Sequence, residues 1–317
     1  MSKQAKIFID GAVGTTGLEI RERLAGRSEL SLITLPEADR KNAAARKTAL
    51  NDADVVILCL PDEAAKEAIT LIDNPDVRVI DASSAHRVAP GWSYGFPELE
   101  ADGYARVAAS RRVSNPGCWP TGFLAIMRPL VRAGLVPADF PVTVNGVTGY
   151  SGGGKSMIAE FEDKASADYT ETVSRIYGLN LSHKHLPEMQ QHGGLAHPPL
   201  FEPSVGRFYR GMLVEVPLQL WALPGKPAAR DLHAALVKAY PERPLVKVAS
   251  LEDAAAATSL DAEILAGGNG VTIYVFANEK SAQARLVSVF DNLGKGASGA
   301  AVQNMNIMLG LPETTGL

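Results

Sequence analysis

Hydrophobic residues in the first third of the chain fall in short unbroken runs. Lys6 to Asp10 (KIFID), Ser31 to Leu35, Asp54 to Leu60 (DVVILCL) and Val77 to Asp81 (VRVID) are the clearest. An unbroken apolar run of this length suits a parallel strand with both faces buried. Arg106 to Ala109 reads as a fifth strand. Helical stretches separate the runs, one from Thr16 to Ala25 and another ending near Ile72, which Asp62 caps after Pro61 stops the third strand. Strand and helix in this alternation predict an α/β fold with a doubly wound parallel sheet.

The pattern changes after Cys118. Thr121 to Ala133 reads as a helix and Val142 to Val147 as a strand. Longer segments follow at Tyr209 to Leu220, Leu245 to Val248, Val271 to Ala277 and Gln283 to Asp291, with one helix from Ala228 to Tyr240 among them. These suit mixed or antiparallel strands. The expected plan is a Rossmann domain of residues 1–117 completed by residues 295–317, with an α+β domain of residues 118–294 inserted. The helix from Ala297 to Leu309 follows a Gly-rich turn and is expected to pack on the first domain. Internal repeats and low-complexity tracts are absent from the sequence.

With 317 residues, 46% hydrophobic and 21% charged, the chain has a globular balance and room for two domains. A net charge of -4 leaves no basic surplus for nucleic acid or an anionic membrane. No apolar run reaches the roughly 20 residues of a membrane helix. The opening MSKQAKIFIDGAVG shows no apolar leader core before the first strand. Two cysteines, Cys59 and Cys118, are too few for a disulfide framework. A cytoplasmic protein is expected, in which a thiol survives as a nucleophile.

Asp10-Gly11-Ala12-Val13-Gly14-Thr15-Thr16-Gly17 joins the first strand to the first helix. The glycines are spaced G-x-x-G-x-x-G, a variant of the dinucleotide fingerprint G-x-G-x-x-G. Bare backbone turns tightly and lets a pyrophosphate approach the helix N-terminus. A plain tight turn uses the same residues, but the position after an apolar strand favours the dinucleotide. The second strand leads into Glu37-Ala38-Asp39-Arg40-Lys41. An acidic residue there suits the ribose of NAD, whereas Arg40 and Lys41 suit the 2′-phosphate of NADP, toward which the reading leans.

Ser114-Asn115-Pro116-Gly117-Cys118-Trp119-Pro120-Thr121 puts the second cysteine on a turn with a helix just after it. The positive end of a helix favours thiolate, and backbone N–H groups there can hold an oxyanion. A thiolate in a dinucleotide-binding chain suggests attack on an activated acyl group, then hydride transfer to the thioester. Cys59, inside VVILCL, reads as a small buried hydrophobe. Such chemistry needs a proton carrier, and histidine suits neutral pH. His183 and His185 share the polar segment Ser182-His183-Lys184-His185-Leu186-Pro187-Glu188. His86 follows the fourth strand, where a Rossmann sheet opens its crevice. His192 and His197 lie in a Gly/Pro-rich loop and His233 in an Ala-rich helix. H-x-H hints at metal, but no third-ligand pattern accompanies it and no metal is expected.

Together these residues resemble the N-acetyl-γ-glutamyl-phosphate reductases in their shorter form, relatives of the aspartate-semialdehyde dehydrogenases. The match covers essentially the whole chain. It runs through the glycine turn, Asp81-Ala82-Ser83-Ser84-Ala85-His86-Arg87, Ser114 to Thr121, the H-x-H-L-P-E segment and Asn292-Leu293-Gly294-Lys295-Gly296-Ala297-Ser298-Gly299. The resemblance implies an oxidoreductase of arginine biosynthesis that uses NADP (NADPH). Cys118 would displace phosphate from the acyl phosphate, and hydride would release the semialdehyde from the thioacyl enzyme. His185 matches the acid/base, with His183 as the competing assignment. Implied cofactor contacts are Gly11, Gly14, Thr15, Thr16, Gly17, Ser83, Asn292, Lys295 and Gly296. Arg87 and Arg111 suit the phosphate, because guanidinium pairs with it bidentately. Asn115, Ser151, Lys155, His183 and Glu188 complete the implied substrate side. The inserted domain is implied to carry catalysis and oligomerisation in a homo-oligomer, dimer or tetramer. Around Arg87, Ser-Ser-Ala-His-Arg departs from the longer form.

Three other readings compete. A related acyl-phosphate reductase, such as aspartate-semialdehyde dehydrogenase, shares the same plan. Gly149-Tyr150-Ser151-Gly152-Gly153-Gly154-Lys155-Ser156 fits the P-loop pattern G-x-x-x-x-G-K-[ST], with Leu286 to Asp291 as a candidate Mg²⁺-binding strand. Its place midway along the chain, after a dinucleotide-type unit, argues against an NTP-binding enzyme. A non-catalytic dinucleotide sensor has no need of a cysteine at a helix start.

Overall fold

A computed structural model describes residues 4–317; the first three residues, which open the stretch read as lacking a leader, lie outside them. The chain forms two compact units, Met1–Pro116 with Ala297–Leu317, and Gly117–Gly296.

The first unit holds a six-stranded sheet of β1 (Ala5–Asp10), β2 (Leu30–Ile33), β3 (Val55–Leu58), β4 (Arg78–Asp81), β5 (Ser93–Tyr94) and β6 (Arg112–Ser114). All neighbours run parallel, in the order β2-β1-β3-β4-β6-β5. Its helices include α1 (Thr15–Leu24), α2 (Ala43–Asp52), α3 (Asp62–Thr70) and α4 (Gly103–Ala109). The unbroken apolar runs follow from this layering. Ile7, Ile9, Val55, Ile57 and Ile80 pack with Ile20 and Leu24 in one cluster. Their chain neighbours Phe8, Val56, Leu58 and Val79 pack with Leu50, Ala65 and Ala68 in another. Each such side chain contributes about 1.5–3 kcal/mol by leaving water. The predicted doubly wound sheet is therefore the observed one.

Two local readings need correction. Arg106 to Ala109 lies in α4, and the strand comes later, at Arg112–Ser114. Only Gly103 and Val107 of α4 are buried, so the helix shows too little period to separate it from a strand. Asp62 is the first residue of α3 rather than its cap. Its carboxylate instead accepts from the Ser84 N–H (2.9 Å) and hydroxyl (2.7 Å).

The second unit is built on a seven-stranded mixed sheet. Its strands are β7 (Thr143–Gly149), β8 (Ser174–Ile176), β9 (Leu200–Gly206), β10 (Met212–Gln219), β11 (Val246–Val248), β12 (Val271–Asn278) and β13 (Gln283–Phe290). Their order is β11-β12-β13-β10-β7-β9-β8. The helices are α5 (Cys118–Arg132), α6 (Gly154–Glu162), α7 (Leu186–Gly193), α8 (Ala229–Ala239) and α9 (Leu251–Ala256). On β10, Met212, Val214, Val216 and Leu218 are buried in strict alternation. Helix α5 approaches this sheet at Gly122, where a Cβ would lie 2.6 Å from Ser288 Oγ and 2.7 Å from Val214.

Helix α5 starts three residues before the expected Thr121, and its two prolines are accommodated differently. Pro120 is the third helical residue, where an N–H would have no helical acceptor. Pro129 lies inside the helix and leaves the Ala125 carbonyl without its helical donor. The Tyr240 hydroxyl donates to that carbonyl at 2.8 Å.

A π-helical turn, Gly294–Ser298, leads into α10 (Gly299–Leu309). Val302, Met305 and Met308 of α10 join Ile7, Ile80 and Val113 in the first unit's core. Among the described residues no helix is long and apolar enough to cross a membrane.

Candidate active site

In the first unit the strand order reverses between β1 and β3, and the glycine turn leaves β1 there. Ligands of open α/β sheets bind at such a reversal. Gly11 has φ +88°, and a Cβ on it would sit 2.2 Å from the Cys59 carbonyl oxygen. A Cβ on Gly17 would sit 2.5 Å from the Gly11 carbonyl oxygen. Both glycines are thus required by the fold itself. Gly14 differs, because its nearest neighbour would be an ordinary 3.5 Å away. Gly14 is the N-cap of α1 and supplies no side-chain cap to the first N–H groups of the helix, the kind of end that suits an anion.

A cleft of about 750 Å³ opens beside this turn. Its lining includes Glu37, Arg40 and Lys41 from the expected ribose end, and also Arg21 of α1 and Arg46 of α2. Arg46 donates twice to Asp10 Oδ2, at 2.8 and 3.2 Å. Nothing in the sequence marked Arg21 or Arg46, since a helical arginine is ordinarily a solvated one.

At the end of β4, Asp81 is fully buried and organises the residues after it. It accepts from the Ser83 N–H (2.9 Å) and hydroxyl (2.7 Å), and pairs with His86 Nδ1 (2.6 Å). His86 also stacks on Trp92, with ring centroids 4.1 Å apart. Three expected ligand contacts are engaged within the unit instead. The Ser83 hydroxyl donates to Asp81. Arg87 is buried and donates to the backbone oxygens of Asn115 (3.0 Å) and Ala82 (3.1 Å). Asn115 donates to the Ala297 carbonyl (2.9 Å) and accepts from Asn304 (3.2 Å). Arg111 is exposed at the opposite end of β6, bonded to the Pro75 carbonyl and 3.6 Å from Asp76. It does not join the phosphate group of residues.

In the second unit Cys118 is the first residue of α5, with Gly117 as an N-cap lacking any side-chain cap. Neither cysteine is in a disulfide. The elbow is fastened by Glu188, whose Oε1 accepts the Gly117 N–H at 2.8 Å. Glu188 is 1% exposed, so it holds the elbow rather than reaching for substrate as expected. Gly296 lies against the elbow, where a Cβ would come within 3.0 Å of Cys118 Cβ. His185 is buried and forms the N-cap position of α7. Its backbone N–H donates to His183 Nδ1 (3.2 Å), and the two rings meet edge to face at 4.6 Å. His183 also touches Phe201 and Tyr177. Tyr177 accepts from Trp119 Nε1 at 2.8 Å. Sequence reading missed Tyr177, because 59 positions separate it from Cys118 and no motif contains it.

Asn292 and Ser151, expected at cofactor and substrate, bond each other at 2.9 Å, and Asn292 Oδ1 accepts the Gly211 N–H at 2.8 Å. Lys295 is buried, and Lys155 is exposed on α6. The P-loop reading fails here on geometry. The N–H groups of Gly149, Tyr150 and Ser151 donate to the carbonyls of Gly211, Phe208 and Tyr209, so they cradle no phosphate. The Asp291 carboxylate is already engaged by the N–H groups of Gly267, Leu293 and Gly294. Among the described residues no group of acidic, histidine or cysteine side chains has metal-holding geometry.

A parallel dinucleotide-type sheet and a cysteine at a helix start define a nicotinamide-dependent reductase of the semialdehyde dehydrogenase type. Residues 6–106 match the family model of the semialdehyde dehydrogenase NAD binding domain, and residues 118–292 that of the semialdehyde dehydrogenase dimerisation domain. The N-acetyl-gamma-glutamyl-phosphate reductases of Brucella ovis and Brucella canis are each 54% identical over 306 residues, covering 96% of this chain and 99% of theirs. The chain belongs to the N-acetyl-gamma-glutamyl-phosphate reductase family. In fold it is similar to aspartate semialdehyde dehydrogenase II of Vibrio cholerae complexed with ASA, at TM-score 0.71 and 15% identity, covering 97% of this chain and 99% of that one. Aspartate semialdehyde dehydrogenase of Candida albicans with NADP gives 0.64 and 13%, again covering 97% and 99%.

Proposed function

We propose that the protein reduces N-acetyl-γ-glutamyl phosphate to N-acetylglutamate semialdehyde with NADPH, in arginine biosynthesis. The observation that carries the reading is Cys118 as the first residue of α5, in a chain 54% identical to reductases of that name. Cys118 Sγ attacks the acyl carbon, the bond from that carbon to the phosphate oxygen breaks, and phosphate leaves a thioester behind. The uncapped N–H groups of α5 stabilise the oxyanion during attack. His185 takes the thiol proton before attack and returns it to the sulfur as the aldehyde departs. His183 is less suited to that task, because its Nδ1 accepts the His185 backbone N–H.

The residues present fit a dinucleotide. The uncapped start of α1, with a bare Gly14, suits a pyrophosphate, and Arg21, Arg40 and Lys41 favour the 2′-phosphate of NADP over NAD. When bound, the cofactor supplies hydride to the acyl carbon. Exposed apolar side chains at Val173, Ile176, Leu179 and Leu181 support a homo-oligomer formed through the second unit. A reactive thiol suits the reducing cytoplasm.

The test runs the reaction backwards and follows reduced-nicotinamide absorbance with N-acetylglutamate semialdehyde, phosphate and NADP⁺. A phosphate-dependent rise that Cys118→Ser abolishes is the expected result. No rise from folded protein with either NADP⁺ or NAD⁺ would sink the substrate assignment.

A further inference from the structure

Asp81 closes β4 in register with Leu58 at the end of β3, and Leu58 is in register with Asp10 at the end of β1. The chain beyond Asp81 therefore leaves the sheet at the strand ends where a dinucleotide lies. His86 stands in that stretch, held on two sides and open on a third. The Ser83 hydroxyl oxygen takes the Ala85 N–H at 3.2 Å and gives its own proton to Asp81. Asp81 also accepts the Ser83 N–H, so its carboxylate acts as an acceptor, and the 2.6 Å bond to His86 puts the imidazole proton on Nδ1. Trp92 stacks on the ring with centroids 4.1 Å apart and planes 14° apart, which fixes the ring's plane. The other ring nitrogen, Nε2, has no hydrogen-bond partner among the described residues, and 12% of the side chain stays exposed. A carboxylate on one nitrogen sets the tautomer and orientation of a histidine and leaves the far nitrogen to act.

We propose that His86 Nε2 hydrogen-bonds a hydroxyl of the cofactor's nicotinamide ribose. A dinucleotide lies across the reversal of strand order with one nucleotide on each side. Arg40 and Lys41, after β2, favour the 2′-phosphate, so the adenosine half takes the β2 side. The nicotinamide half then falls over the ends of β3 and β4. Two strand spacings put the end of β4 roughly 10 Å from that of β1, the span of a nucleoside carried by a pyrophosphate at the glycine turn. A ribose hydroxyl both gives and takes hydrogen bonds, so it matches Nε2 in either charge state of the ring. The pyrophosphate has its own place, at the uncapped start of α1. The inference rests on NADPH being the cofactor of the proposed reaction.

The experiment is calorimetric titration of the whole protein with NADPH, 2′-phospho-ADP-ribose and adenosine 2′,5′-bisphosphate. Two variants separate the contacts of the ring. His86→Asn keeps an N–H where Nδ1 meets Asp81 but gives up the stack on Trp92. His86→Phe keeps the stack but gives up the bond to Asp81. Only the loss of Nε2 is common to both. Both should bind NADPH and 2′-phospho-ADP-ribose about three- to tenfold more weakly, the loss of one hydrogen bond. Both should bind adenosine 2′,5′-bisphosphate, which lacks the second ribose, as wild type does. Wild-type affinity for NADPH in either folded variant overturns the proposal. So does an equal loss for all three ligands, which marks a structural role. A loss confined to NADPH places Nε2 at the nicotinamide carboxamide and overturns the ribose assignment. Should one variant fail to fold, the other decides by the same comparison. Wild type that binds none of the three ligands strikes the dinucleotide reading itself, a different failure from unshifted variants.

Discussion

At the scale of single residues, the three glycines of the turn separate demands that the motif runs together. Gly11 and Gly17 face backbone atoms at 2.2 and 2.5 Å, while Gly14 has ordinary room. Gly17→Ala should therefore lower stability by about 1–3 kcal/mol through overpacking. Gly14→Ala should keep the melting temperature close to wild type while weakening NADPH by about tenfold or more, since only an approaching pyrophosphate needs that Cβ absent. Thermal denaturation and a fluorescence titration check the pair; equal effects of both variants on both readouts would remove the distinction. Cys59 offers a second test. Burial, then the charges of Asp81 and Asp10, push its thiol up to about 12, whereas an unfolded thiol ionises near ~8.5. Between these values the unfolded chain releases a proton that the folded chain keeps. The stabilisation is complete below the lower value and is lost as pH rises through the window, by up to about 1.4 kcal/mol per unit. Denaturant titrations should show Cys59→Ala with a shallower alkaline fall than wild type. Reading residues from sequence placed Cys118 at a helix start and the glycines in a tight turn, because residue type fixes those placements. It could not foresee the partners of Asn115, Ser151 and Asn292, because an amide or hydroxyl declares that it will bond but not to which partner.

At the scale of elements, α5 depends on a residue far away in the chain. Pro129 leaves the Ala125 carbonyl without a helical donor, and Tyr240 at the end of α8 supplies one. Tyr240→Phe should cost about 1–3 kcal/mol, the penalty of an unsatisfied buried carbonyl, read as a drop in the denaturant midpoint with little change in slope. An unchanged midpoint would show that the carbonyl finds another donor. Strands β1, β3 and β4 were legible because helices cover both their faces and their central positions are apolar. Strand β9 was not, because Pro199 and Pro203 lie in or beside it. Proline in a run argues against a strand, and pairing with β7 over seven residues and with β8 on the other side overrides that signal. Helix α7 was hidden in the same way. Its start carries Pro187, and proline suits the first turn of a helix as well as it ends one.

At the scale of the whole chain, the change of rhythm after Cys118 disclosed that a second sheet begins there. The return of the chain was written in the apolar residues of α10. Those residues complete a core begun nearly the whole chain earlier. Val302, Met305 and Met308 fill the same cluster as Ile7, Ile80 and Val113. The tail is fastened too: Asn306 donates to the Thr315 carbonyl at 2.8 Å, Arg27 to the same oxygen at 3.2 Å, and Leu317 packs on the cluster. A fragment ending at Pro116 therefore lacks one wall of its own core. Leaving that apolar surface in water forfeits about 1.5–3 kcal/mol for each large side chain, against a net stability of only about 5–15 kcal/mol for a typical domain. The fragment of residues 1–116 should show no cooperative melting transition by circular dichroism. Adding a peptide of residues 297–317 should restore one, with a midpoint that rises with peptide concentration, because a ligand that binds only the folded state stabilises it by mass action. Cooperative melting without the peptide would mean that β1 to β6 and their four helices suffice, and that α10 adds closure rather than core.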